Sequence, residues 1–332
     1  MSQTLLEVKR LQVEFDTYAG RVRVLDDLNF SLQRGETLCI VGESGCGKSM
    51  TALAIMGLVP SPTGHITGGE ILFENEDLVR ASEGRLRSLR GNRISMIFQE
   101  PMTSLNPVFA VGEQIAEAVR LHQNAGARAA RARAAEMLRA VRIPEADKRI
   151  DEFPHQFSGG MRQRVMVAMA LACEPSILIA DEPTTALDVT VQAQIFDLLE
   201  ELRERKSTSI ILITHDMGAV AEMADRVIVM YAGRKVEEGP VEDILERPAH
   251  PYTEGLLACR PVLRLDAVGT RAKLEEIPGV VPPLHLLGAG CSFAPRCPKA
   301  QQRCRAEAPP TVAIAGSHSA ACWLRADEKA AA

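Results

Sequence analysis

Residues 42 to 49 read Gly42-Glu43-Ser44-Gly45-Cys46-Gly47-Lys48-Ser49, that is, a glycine, four residues, then Gly-Lys-Ser. Glycines at this spacing let backbone N–H groups turn inward and cradle phosphate oxygens at the positive end of a following helix. Lys48 supplies a cation that bridges phosphates, Ser49 a hydroxyl within reach of Mg²⁺, and Met50 closes the stretch. The alternative is a glycine-rich turn that merely precedes a lysine. The surroundings argue against it: the apolar run Thr37-Leu38-Cys39-Ile40-Val41 stands before the loop, and Met50, Ala52, Leu53 and Met56 after it have helical spacing.

Such a loop needs a carboxylate at the end of a neighbouring parallel strand. Asp181 follows the apolar run Ile177-Leu178-Ile179-Ala180, where it can hold the Mg²⁺ shell through water. Glu182 beside it is placed to polarise an attacking water. An acidic pair ahead of Pro183 could otherwise simply cap the next segment, but the phosphate loop upstream favours MgATP binding and hydrolysis.

Some twenty residues ahead of Asp181 stands Phe157-Ser158-Gly159-Gly160-Met161-Arg162-Gln163-Arg164. Ser-Gly-Gly before a helix is a second anion-binding N-terminus. Here the chain resembles the ATP-binding-cassette family, whose signature is Leu-Ser-Gly-Gly-Gln; Phe157 and Met161 depart from it at the first and last positions. The resemblance implies that Ser158, Gly159 and Gly160 contact ATP held by a partner subunit, so that two ATPases sandwich two MgATP. It implies further roles by position. Gln99, in Ile97-Phe98-Gln99-Glu100-Pro101, matches the glutamine that contacts Mg²⁺ and the water and leads into a helical insertion facing the membrane subunit. Ala186-Leu187-Asp188 matches the loop that communicates across the dimer, and His215 the histidine that senses the γ-phosphate. Glu182, Gln99 and His215 are thus the candidate catalytic residues. Tyr18 matches the aromatic that stacks on adenine, with Phe15 competing for that role.

Phe98 to Pro107, the Ser-Gly-Gly-Met form of the signature and Asp181 to Thr190 are similar to the oligopeptide/dipeptide importer ATPases. His250-Pro251-Tyr252 and Ile277-Pro278-Gly279 to Pro283 resemble the tail of the same group, so the likeness covers nearly the whole chain. It implies a heterodimer with a second, homologous ATPase, two transmembrane permease subunits and an extracytoplasmic substrate-binding protein. The tail also holds Cys291, Cys297, Cys304 and Cys322, with five, six and seventeen residues between them. Four thiolates in a loop-rich segment can ligate a [4Fe-4S] cluster or Zn²⁺. The spacing lacks the paired CxxC usual for zinc, and some members of the group carry a cluster, which favours [4Fe-4S] in a structural role.

The elements that must position these groups follow from the same sequence. Residues 5 to 15 and 22 to 33 alternate as half-buried antiparallel strands; three continuous apolar runs read as buried parallel strands, with Val191 to Arg203 a helical crossover between two of them. Residues 226 to 239 read as a hairpin around Ala232-Gly233-Arg234. The expected fold is α/β: a phosphate-loop nucleotidase core with a mostly parallel sheet, an N-terminal antiparallel β subdomain, an inserted helical subdomain at about 102–165 and a loop-rich, cysteine-bearing C-terminal extension. The nucleotide-binding domain spans 1–240 and the extension 241–332, because composition shifts to Pro, Gly and Cys near Pro240.

At 332 residues, 46% of them hydrophobic, the chain suffices for this core. A net charge of −5 offers no basic field for nucleic acid, and the arginines between Arg128 and Arg142 are interleaved with alanines, as on a solvated helix. No apolar run reaches the roughly 18 residues of a membrane span, and Met1 to Lys9 lacks a signal sequence, so the expected location is peripheral, on the cytoplasmic side of the membrane. The sequence therefore reads as the ATP-hydrolysing subunit of a di-/oligopeptide importer. The alternatives are import of nickel or another small solute on the same architecture, a non-transport cassette ATPase acting on DNA or ribosomes, and an iron-sulfur protein with an ancillary nucleotide fold. A single cassette, the negative charge and the lack of a long coiled coil between Gly42 and Ser158 count against the second.

Overall fold

The computed structural model describes residues 3–18, 20–99, 104–184, 189–259 and 276–331. The Ala186-Leu187-Asp188 motif and Glu100 to Thr103 lie outside the described residues. Strands β1 (Thr4–Thr17) and β2 (Gly20–Gln33) pair antiparallel, with Thr17 opposite Gly20, as their alternation predicts. After β3 (Thr37–Val41) and helix α1 (Lys48–Ile55), strand β4 (Gly64–Phe73) returns to the free edge of β1, and the short β5 (Glu76–Asp77) completes a four-stranded sheet. Strand β4 is not legible from periodicity because Gly64, Gly68 and Gly69 interrupt its alternation.

Helix α2 (Glu83–Leu89) leads to β6 (Ile94–Ile97). The insertion that follows is helical: α3 (Val111–Gln123), α4 (Ala127–Ala140) and α5 (Ala146–Arg149), closed by α6 (Gly159–Leu171). In α4 Ala130, Ala134, Met137 and Leu138 turn inward while Arg131 and Arg139 face out to pair with Asp151 and Asp147, the solvated arrangement its composition implies.

Next come β7 (Ile177–Asp181), α7 (Val189–Lys206), β8 (Ser209–Ile213), α8 (Met217–Met223), β9 (Arg226–Tyr231) and β10 (Arg234–Pro240). The second sheet has eight strands; β9-β3-β8-β7-β6 are parallel, and β10 joins β9 antiparallel. Strands β3, β6, β7 and β8 read as short apolar runs because both faces are covered. Leu38, Ile40, Ile179, Ile211, Ile213 and Ile228 join the core shared with the N-terminal sheet and α1. Their neighbours Cys39, Val41, Leu178, Ala180, Leu212 and Val229 join the core under α6 and α7.

The extension contributes α9 (Val241–Glu246), α10 (Pro251–Ala258) and α11 (Gln302–Ala306), then β11 (Thr311–Ala315), β12 (His318–Ala321) and α12 (Trp323–Ala331). Strand β12 pairs with β10, and β11 with β12, so the tail adds two strands to the outer edge of the main sheet. Composition conceals this, since β11 and β12 are only five and four residues long. Buried Glu237 of β10 fastens the junction: it accepts the backbone N–H groups of Ala249 and His250, and its Oε1 stands 2.8 Å from His318 Nε2. No helix among the described residues is long and apolar enough to cross a membrane.

Candidate functional site

Four parallel strands, β3, β6, β7 and β8, end on one side of the sheet, and the loops leaving them carry the residues singled out by sequence, as expected at the carboxyl edge of an α/β sheet. The loop from β3 to α1 depends on two glycines. Gly42 has φ +150, and a Cβ there would lie 2.3 Å from the Met230 carbonyl oxygen. Gly47 caps α1 at φ +104, where a Cβ would come within 2.7 Å of Leu25 Cδ2. Only glycine tolerates both the backbone and the space. Between them Ser44 and Gly45 are exposed and Cys46 is buried. The Lys48 ammonium is drawn across the loop, donating to the carbonyls of Gly42 at 2.7 Å and Glu43 at 3.1 Å, and Met50 packs half-buried on the N-terminal core.

The carboxylates meet this loop from β7. Asp181 takes a hydrogen bond from the Ser49 side chain, while its buried Oδ1 has no hydrogen-bond partner. Burial, reinforced by the charge of Glu182, pushes the Asp181 carboxyl above the usual carboxylate range; Ser49 and Lys48 pull the other way. A hydroxyl and an under-coordinated carboxylate are the hard oxygen donors that suit Mg²⁺, so these residues fit that ion. Glu182 sits at φ +47, a left-handed conformation rare for a residue with a side chain, with its N–H bonded to the Ile213 carbonyl at 2.9 Å. Gln99 Nε2 donates to Glu182 Oε2 at 3.0 Å, and His215 Nδ1 lies 3.2 Å from Glu182 Oε1. Of the three candidate catalytic side chains, read from three separate strand ends, Gln99 and His215 therefore converge on the carboxylate of the third, Glu182.

The remaining sites lie around this centre. Ser158 caps α6, its hydroxyl accepting from the Met161 N–H at 3.3 Å; Ser158 and Gly159 are exposed and Gly160 half-buried, so the start of a 13-residue helix faces outward. Tyr18 is fully exposed at the β1–β2 turn, whereas Phe15 packs against the N-terminal core.

Cys291, Cys297, Cys304 and Cys322 line a single small apolar cavity with His250, Phe293 and Trp323. Burial first, and then neighbouring thiols, raise the thiol pKa of Cys291, Cys297 and Cys322. The donor set suits a soft metal or cluster, yet among the described residues no group of three or more His, Cys, Asp or Glu is arranged to hold a metal ion.

Two contacts to the phosphate loop lie beyond the sequence reading. Arg296 forms a bidentate ion pair with Glu43, and the Tyr252 hydroxyl accepts the Glu43 N–H at 2.8 Å. The His250-Pro251-Tyr252 motif marked Tyr252 as part of the tail but not as a loop contact, and nothing local marks Arg296.

The family described as ABC transporter matches residues 25–185, and that described as oligopeptide/dipeptide transporter, C-terminal region, matches residues 236–304. The chain is 51% identical to the dipeptide transport ATP-binding protein DppD of Bacillus subtilis, covering 99% of this chain and 96% of that one. It is 52% identical to the oligopeptide transport ATP-binding protein OppD of Salmonella typhimurium, with 98% and 96% covered. Among solved structures it is similar to the dimeric post-hydrolysis state of the ATP-binding cassette MJ0796 bound to ADP and Pi: the TM-score is 0.64 at 29% identity, over 71% of this chain and 98% of that one.

Proposed function

This chain belongs to the ATP-hydrolysing, ATP-binding subunits of ABC transporters, and on that premise we propose that it powers uptake of di- and oligopeptides through partner permeases. The observation that carries the catalytic assignment is the convergence of Gln99 and His215 on Glu182, beside the Ser49–Asp181 pair. The likeness of residues 236–304 to the oligopeptide/dipeptide transporter C-terminal region, and the names of the relatives, support the peptide class.

In this reading Gly42 to Met50 wrap the phosphates, Lys48 neutralises their charge and Tyr18 stacks on adenine. Ser49, Asp181 and Gln99 are the residues that would hold Mg²⁺, which would supply charge neutralisation at the phosphates. Glu182 takes the proton of the attacking water; His215 orients that carboxylate and senses the γ-phosphate. Ser158, Gly159 and Gly160 close over ATP on a second, homologous ATPase, so a complete site needs two subunits. Residues 1–240 form the nucleotide-binding unit, its helical subdomain at about 102–165 meeting the permeases on the cytoplasmic face, and 241–332 the extension. The solute is delivered by an extracytoplasmic binding protein.

The four cysteines are the residues that would hold a [4Fe-4S] cluster, with Zn²⁺ as the alternative; the group would staple a segment poor in apolar residues. Anaerobic purification decides between them: broad visible absorbance with iron and sulfide supports the cluster, zinc in stoichiometric amount replaces it, and neither overturns both.

The test of the main reading is Glu182→Gln in the assembled complex. Loss of hydrolysis and uptake with MgATP binding retained is expected; full activity would sink the assignment. Identification of the solute on the co-purified binding protein checks the substrate, and nickel or another small solute there would overturn the peptide class.

A further inference from the structure

We propose that Arg296, on the turn between Cys291 and Cys297, is a positioning residue for the phosphate loop, so that the extension is a working part of the nucleotide site. The inference rests on the ATPase reading above and goes beyond it, because the extension is then needed for nucleotide affinity.

The argument begins at Glu43, the first residue of the loop after Gly42. Arg296 Nη1 donates to Glu43 Oε2 at 2.6 Å and Nη2 to Oε1 at 3.0 Å. This is the fork-to-fork geometry that fixes direction as well as distance. The Arg296 side chain is only 4% exposed, and its own position is over-determined. Nε donates to the Pro278 carbonyl at 2.9 Å and Nη2 to the Ile277 carbonyl at 3.2 Å. Nη1 also reaches the Tyr231 hydroxyl at 3.4 Å, with the guanidinium 5.9 Å from that ring's centroid.

A second hold comes from Tyr252. Its hydroxyl accepts the Glu43 N–H, and its fully buried ring packs against Tyr231 at 4.7 Å and Phe293 at 5.3 Å between centroids. The Glu43 carbonyl, in turn, accepts from Lys48. All three polar groups of residue 43 are therefore committed: carboxylate and N–H to the extension, carbonyl to the lysine that meets phosphate. The extension sets the path of the loop at the residue that steers Lys48. Fixing a loop in advance lowers the ordering cost of binding, so the clamp acts on nucleotide affinity more than on the chemical step.

The experiment uses the full-length chain in its co-purified assembly and compares wild type, Arg296→Met, Arg296→Lys, Glu43→Gln and the Arg296→Met/Glu43→Gln double variant. Steady-state hydrolysis of MgATP and equilibrium binding of a fluorescent ATP analogue are the readouts, with thermal melting to establish that each variant is folded. The expected result is a rise of about tenfold in KM and in Kd for Arg296→Met, with kcat within twofold. Arg296→Lys, which keeps the charge but loses the fork, should recover only part of the affinity, and the double variant should be no weaker than Glu43→Gln alone. A folded Arg296→Met variant with wild-type KM and Kd overturns the clamp and leaves the ATPase reading standing, as does an equal loss in kcat with KM unchanged. A wild-type assembly that neither binds nor hydrolyses MgATP overturns both.

Discussion

His215 Nδ1 lies 3.2 Å from Glu182 Oε1, although the two residues leave different strands and Glu182 must adopt φ +47 to present its carboxylate there. In the proposed reading the histidine orients the general base. General-base contributions run to about 10²–10⁴-fold. Replacing Glu182 with Gln should lower kcat by about 10³-fold and His215 with Ala by about 10²-fold, with KM for MgATP within a few-fold in both. Single-turnover assays of the assembled complex check this; an unchanged kcat for either variant contradicts the assigned role.

Tyr18 is exposed on the turn between β1 and β2, whereas Phe15 is committed to the N-terminal core. Stacking of a base on an aromatic face is worth about 1–3 kcal/mol. Tyr18→Ala should raise KM for ATP roughly tenfold, with kcat nearly constant, and Tyr18→Trp should restore it. Equal affinity for ATP and for a base-less triphosphate in the wild type would remove the adenine contact.

Phe293 joins Tyr231, Tyr252 and His250 in one aromatic group, with ring centroids 5.2, 5.3 and 5.8 Å away respectively, and is buried. Truncating a buried phenylalanine costs about 3–5 kcal/mol. Phe293→Ala should lower the melting temperature by several degrees and also weaken ATP binding, because this group backs the Tyr252 contact to Glu43. A Phe293→Leu variant should lose less of both, and melting curves compared with binding isotherms separate the two effects.

His250 is buried, and burial lowers its imidazole pKa to about 4 from an ordinary 6.5. The folded form thus keeps it neutral, with Nδ1 accepting the Tyr252 N–H at 3.0 Å. Between pH 6.5 and 4 the unfolded chain binds the extra proton, so this contribution is complete above pH 6.5 and is lost as pH falls through that window, by about 3 kcal/mol in all. His250→Asn keeps an acceptor at the helix cap and removes the titration. Urea denaturation at pH 7 and pH 5 should show a smaller acid loss for the variant than for the wild type.

Much of the centre was legible because each component carries its own local mark. Gly42 to Ser49 has fixed spacing, and Asp181, Glu182 and His215 each follow a continuous apolar run that ends where a parallel strand ends. The antiparallel pair β1–β2 alternates plainly. Strand β4 was hidden by its glycines, and β11 and β12 by their shortness. The Arg296–Glu43 pair was hidden for a different reason: its partners are 253 residues apart, and an arginine in a proline-rich turn has no periodicity to announce where it points. Tertiary contacts of that kind are set by the docking of a whole segment rather than by any neighbouring residue.

The pairing of β12 with β10, through Glu237↔Ala320 and Glu238↔Ser319, bears on how the polypeptide can be cut. A bare strand offers unpaired amides to any other chain and invites aggregation. Stopping the chain after Pro240 would uncover β10 along its outer side and strip buried Glu237 of His318, Ala249 and His250 together. The last ninety or so residues thus act as a selvedge, the finished border that keeps a woven sheet from catching on its neighbours, and a minimal catalytic fragment should be recovered as inclusion bodies instead of as a smaller working ATPase.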